Sequence, residues 1–197
     1  MNALTNTEAR ELLRAHIRER LGEEPEGLDR VLAAFAYVPA RKNMVLIEQG
    51  TICREVYFIL EGCLRLSTLD RNFSEKVTHL AFEGEWVTAM RCVVYQTPGN
   101  ERVVAAESGH LLRIRRDDFQ RFSAELPPFE AIYKAILEES YTASIERIQT
   151  LMTLDALERV RWLLQERPRI FTRLSNRLIA SYLGISEATL SRLKGKL

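Results

Sequence analysis

Only three cysteines, Cys53, Cys63 and Cys92, occur among 197 residues. Their odd number and wide spacing exclude a disulfide framework and any four-thiolate cluster held by one chain. Buried free thiols are the expectation. No stretch approaches the roughly 18–20 apolar residues that span a bilayer. Met1 to Leu12 carries no apolar run of the signal-peptide kind, so the expected setting is the cytoplasm, without membrane contact. Histidine is scarce as well. His16, His79 and His110 stand apart, and no His-x-His pair, zinc spacing, phosphate-binding glycine loop or Gly-x-Ser-x-Gly turn occurs. Without such a constellation neither catalysis nor a metal site is expected, and each histidine reads as a surface or hydrogen-bonded structural residue. Net charge is almost absent: 28 Lys+Arg face 27 Asp+Glu. With 46% hydrophobic and 28% charged residues, the chain is neither disordered nor collagen-like.

The charge that is present lies unevenly. Leu157 to Leu197 holds nine basic and three acidic residues, which leaves the preceding part acidic. An acidic body with a basic tail is either a solvated helical surface or a site for a polyanionic partner.

Hydrophobic spacing divides the chain. Thr5 and Glu8 form a capping-box pair ahead of Leu12, Leu13, Ile17 and Leu21, with Gly22 as the stop. A short second helix is predicted to begin near Pro25 and to carry Leu28, Val31, Leu32 and Phe35. Between Val38 and Ile114, short apolar runs alternate with turn residues, which predicts an antiparallel sandwich or barrel. Glu61-Gly62 between two such runs predicts a tight hairpin. Asp117 opens a short helix. Pro127-Pro128 opens a long one with apolar residues every three or four positions from Phe129 to Met152. That helix needs a cover, either its own sheet or its twin. The small Ser140, Ala143 and Ser144 favour the twin. The expected divisions are a sensor part at 1–126, a linking helix at 127–153 and a tail domain at 154–197.

The most specific stretch is Asn176 to Arg192. It predicts two short helices joined at Gly184, with Ala180 at the crossing. Ile179, Leu183, Ile185, Leu190 and Leu193 would pin them together, and Ser186 would cap the second helix. This is a helix-turn-helix pattern, whose second helix enters the major groove. Glu187, Ala188, Ser191 and Arg192 fall on its outer face, with Thr189 in the first turn. Arg192 suits a guanine edge and Glu187 a cytosine amine. Ser186, Thr189, Lys194 and Lys196 suit phosphates, as do Arg173 and Arg177 nearby.

The succession of N-terminal helices, β-rich middle, long helix and helix-turn-helix resembles the Crp/Fnr family of bacterial transcription regulators. Gly50 and the Tyr57–Leu66 strand–glycine–strand stretch are similar to the family's β part. The resemblance implies an α+β fold. Its parts would be a double-stranded β-roll of the cyclic-nucleotide-binding jelly-roll kind with flanking helices, a long dimerisation helix and an all-α C-terminal domain. It implies a homodimer paired through Ile132, Ile136, Leu137, Ser140, Ser144 and Ile148, reading a near-palindromic duplex site, with RNA polymerase as a further partner. A sensor or adaptor that signals through protein contacts without binding DNA is the alternative.

The sequence departs from the cyclic-AMP-binding members at their phosphate cassette. The family's Gly-Glu pair falls on Thr88-Ala89 and its Arg-Ser pair on Gly99-Asn100. A buried phosphate without a cation loses on the order of several kcal/mol. Arg91 or Arg102 would substitute only if the register slipped. No cofactor is therefore expected, and cyclic nucleotide least of all. The pocket, placed at Trp86, Thr88, Ala89, Gly99, Asn100 and Arg102, is either empty or takes another small effector. No cysteine precedes Cys53 to build the family's iron–sulfur cluster. The sequence given ends with Leu197 directly after the second reading helix, so no β-hairpin wing is expected.

Overall fold

The computed structural model describes residues 4–72 and 74–196. Thr5 closes its predicted capping box with Glu8 and starts α1 (Asn6–Leu21), which Gly22 ends in the left-handed conformation. Ala9, Leu13 and Ile17 on one face of α1 are buried, whereas Leu12, expected on that face, is 50% exposed. The second helix, α2 (Leu28–Ala33), begins after Gly27 rather than at Pro25.

Among the described residues eight strands follow: β1 (Ala36–Ala40), β2 (Val45–Ile47), β3 (Glu55–Glu61), β4 (Leu64–Leu69), β5 (Glu75–Ala81), β6 (Trp86–Val87), β7 (Arg102–Ala105) and β8 (Gly109–Arg115). They form two antiparallel four-stranded sheets in the orders β1-β8-β3-β6 and β2-β7-β4-β5. The expected hairpin at Glu61-Gly62 is overturned, because β3 and β4 lie in different sheets. The glycine carries the chain across the roll instead, at φ 103°. Its neighbour in space is Gly109. A Cβ there would stand 2.0 Å from the Glu61 carbonyl oxygen, so the two backbones approach as only glycine permits. The actual hairpin joins β4 to β5.

The helix α3 (Met90–Tyr95) interrupts the strands between β6 and β7. After β8 come α4 (Arg116–Glu125) and the predicted long helix, α5 (Pro127–Thr153). The two faces of α5 have different fates. Phe129, Ile132 and Ile136 are buried in a core with Leu13, Phe35, Phe58 and Phe119. Tyr141, Ile148 and Met152 are 69%, 52% and 80% exposed.

The tail consists of α6 (Ala156–Glu166), α7 (Ile170–Arg173), α8 (Asn176–Leu183) and α9 (Glu187–Lys194). Its apolar core is continuous with the roll. Val160, Leu163, Ile170, Leu174 and Ile179 pack in one cluster with Cys63, Val77, Leu80, Phe82 and Ala106. The change of architecture after α5 is therefore not a break in packing. All three cysteines are free and buried, as expected.

Candidate nucleic-acid interface and sensor cavity

Ser175 caps α8 at the Leu178 N–H and Ser186 caps α9 at the Thr189 N–H. Between them Gly184 takes φ 68°, which fixes the turn. Arg159 steadies it by donating to the carbonyls of Leu151, Leu154 and Leu183. Leu190 is fully buried beneath α9, against Ile179, Ala180 and Leu183. Its opposite face is open. Ser186, Glu187, Ala188, Ser191, Arg192, Lys194 and Lys196 are exposed, and Thr189 is half-buried. An exposed eight-residue rod with Arg192 and Lys194 in its last turn has the size and charge of a major-groove reader.

The basic surround differs from the expectation. Arg177 is exposed. Arg173 is not free for phosphate: its guanidinium forks onto Glu83 at 2.6 Å and Glu107 at 2.7 Å, both on the roll. These carboxylates, with side-chain hydrogen bonds the main cause, push the guanidinium further above its usual range. Arg167 likewise pairs with Glu85 at 2.7 Å. Both guanidinium groups lie over the Phe82 ring. Part of the tail's positive surplus thus answers the roll's negative charge within one chain. Ser181 adds a polar joint, accepting from the Val77 N–H and donating to the Glu75 carbonyl.

The dimer positions also separate. Ile132 and Ile136 are consumed by the chain's own core and are withdrawn from the pairing face. Leu137 is half-buried, whereas Ser140, Ser144 and Ile148 are exposed beside Tyr141 and Met152. The period of three and four that marked α5 counted both faces together, so the buried isoleucines and the exposed residues gave the same signal.

A cavity of about 460 Å³ lies between the roll and α5. Trp86 and Thr88 line it, as expected. Ala89, Gly99, Asn100 and Arg102 do not. Ala89 is buried as the cap residue of α3. Gly99 packs on Cys92, and Asn100 is exposed. The lining comes instead largely from α5 and α4, including Tyr133, Leu137, Arg147 and Phe119. Those contacts link positions far apart in sequence, and no local motif marks them.

Residues 37–125 match the family model described as a cyclic nucleotide-binding domain. FixK2 of Bradyrhizobium japonicum is similar over 83% of this chain and 84% of its own, at 17% identity and TM-score 0.73. The c-di-GMP-responsive global regulator CLP of Xanthomonas campestris shares 17% identity over 86% of this chain and 89% of its own, with TM-score 0.70. A transcriptional regulator of the Crp/Fnr family from Eubacterium rectale shares 14% identity over 84% and 79%, with TM-score 0.66. This chain has the Crp/Fnr fold. A comparison with curated protein sequences returned no match.

Within that Crp/Fnr fold the cassette positions carry no cation. Arg102 pairs with Glu48 at 2.7 Å. Arg116, on the cavity wall, donates to the Val93 carbonyl at 2.6 Å and to Asp117 at 3.0 Å. Thr88 donates to the Glu55 carbonyl at 2.9 Å. Among the described residues no group of three or more histidine, cysteine or carboxylate side chains is placed to hold a metal, and no helix is long and apolar enough to cross a membrane.

Proposed function

We propose that this chain is a DNA-binding transcription regulator of the bacterial cytoplasm, working as a homodimer and without catalysis. The observation that carries this reading is the outward face of α9, capped, exposed and basic at its end, on a helix-turn-helix fixed by Gly184. The exposed stripe of α5 from Ser140 to Met152 supports pairing with a second copy. Two reading helices about 34 Å apart then meet successive major grooves. The absence of a free cation at the cassette supports an effector other than a cyclic nucleotide. RNA polymerase would be a further partner of the bound dimer.

Selection of duplexes from a random pool, followed by titration at rising salt, tests this reading. The expected result is a near-palindromic site whose log affinity falls steeply with log salt. Arg192→Ala should cost about 1–3 kcal/mol at one base pair per half-site. A uniform loss across all sequences would make Arg192 a phosphate contact. No duplex binding at low salt would leave the adaptor reading in its place.

A further inference from the structure

The cavity between the roll and α5 holds a charge that the protein leaves unanswered. Arg147 lines it, and burial pushes this guanidinium below its usual range. Among the described residues no carboxylate lies within ion-pair distance of Arg147. It donates to the Val77 carbonyl at 3.2 Å and stacks 4.2 Å from the Tyr182 ring. A half-buried guanidinium without a counter-charge is uncommon, because desolvation costs more than a carbonyl and a ring return. A second donor on the same wall, the Trp86 indole N–H, is buried and makes no hydrogen bond among the described residues.

Much of the rest of the lining is apolar or already satisfied. Leu66, Val87, Val93 and Phe119 contribute hydrocarbon, and Arg116 is held by its own partners. Glu101, also on the wall, has no partner among the described residues, and burial raises its carboxyl above the usual range. A phosphate wants several charged donors at once, and among the described residues one cation on the wall stands free. Along α5 the cavity runs from Tyr133 to Arg147, about 21 Å of helix.

We propose that the cavity binds a hydrophobic monocarboxylic acid, its carboxylate on Arg147 and its apolar body along the hydrocarbon wall. This deepens the reading of the roll as the sensing half of the regulator and rests on it. The site also has a direct route to the DNA-reading tail. Arg147 stacks on Tyr182 of α8, so a carboxylate that captures the guanidinium competes with a contact that holds the helix-turn-helix to α5.

Calorimetric titration of the full chain tests this with three acids: 1-naphthylacetate, decanoate and 3-phenylpropionate. Methyl 1-naphthylacetate serves as the neutral control, and cyclic AMP as the phosphate control. At least one acid should bind with a dissociation constant below about 100 μM, and for 1-naphthylacetate the ester should bind at least about tenfold more weakly. Arg147→Gln should lose at least about tenfold for the acid and nothing for the ester, and Arg147→Lys should recover part of the loss. The proposal is overturned if all three acids are silent at about 1 mM, if acid and ester bind alike, or if cyclic AMP binds more tightly than any acid. The acid–ester comparison uses the unaltered chain, so it decides even if Arg147→Gln fails to fold. Duplex selection is run separately. Silent acids with intact duplex binding sink the ligand class and leave the regulator standing, whereas bound acid without duplex binding sinks the regulator.

Discussion

His79 shows how a single side chain is set by neighbours distant in sequence. Burial, then the charges of Arg147 and Arg167, lower its pKa from 6.5 to about 4. Glu85, 3.9 Å away, faces it but is itself paired with Arg167. The folded protein therefore keeps His79 neutral where the unfolded chain takes up a proton. Stability is full above pH 6.5 and falls as pH drops from 6.5 towards 4. His16 works in the same direction, its ring buried against Phe58 with Nε2 unpartnered. The melting temperature should decline across this window, and His79→Gln should flatten part of the decline. A profile identical in the variant would show that His79 titrates alike in both states. Sequence alone placed all three histidines as surface or satisfied groups. That holds for His110, bonded to Tyr37 at 2.6 Å, but not for His16. Satisfaction depends on partners that no local pattern names.

At the level of elements, legibility followed the range of the forces involved. The capping box at Thr5 and the serine cap of α9 involve residues three apart and could be read directly. The strands were legible as strands. Their pairing was not, because Glu61-Gly62 carries the same local signal whether the chain turns back or crosses to another sheet. α3 was missed for a related reason: its first turn has no side-chain cap, and it is only six residues long. The crossing at Gly62 and Gly109 supplies a test of the topology. Gly109→Ala puts a methyl group into the Glu61 carbonyl and should destabilise the roll by about 1–3 kcal/mol. Gly50→Ala meets no atom within 4 Å and carries only the penalty of its own positive φ, which Gly109 does not have. Denaturant unfolding measures both, and a Gly109→Ala variant as stable as the unaltered chain would mean that the close approach is not structural. The exposed half of α5 carries its own expectation. Tyr141→Asp with Ile148→Asp should leave a folded monomer by sedimentation and lose duplex affinity. A dimer that survives both changes pairs through another surface.

Across the whole molecule, the charge asymmetry had two causes where one was expected. Arg192, Lys194 and Lys196 remain outward, but Arg167 and Arg173 are spent on Glu85, Glu83 and Glu107 of the roll. Composition counts charges without showing which pairs fold together, so the tail looked more available to DNA than it is. The pairing defines a joint between the tail and the rest of the chain, made of the Arg173 fork, the Ser181 hydrogen bonds and the Arg147–Tyr182 stack. Arg173 and its partners are partly exposed, so the fork contributes about 1 kcal/mol after screening. Arg173→Met keeps the stem over Phe82 and removes the charge. Amide exchange in β5 and α8 should then accelerate about fivefold while α1 stays unchanged, and salt near 1 M should reproduce this in the unaltered chain. If α8 exchanges at the same rate in Arg173→Met, the tail is held to the roll by its apolar core alone, and the fork belongs to the surface rather than to the joint.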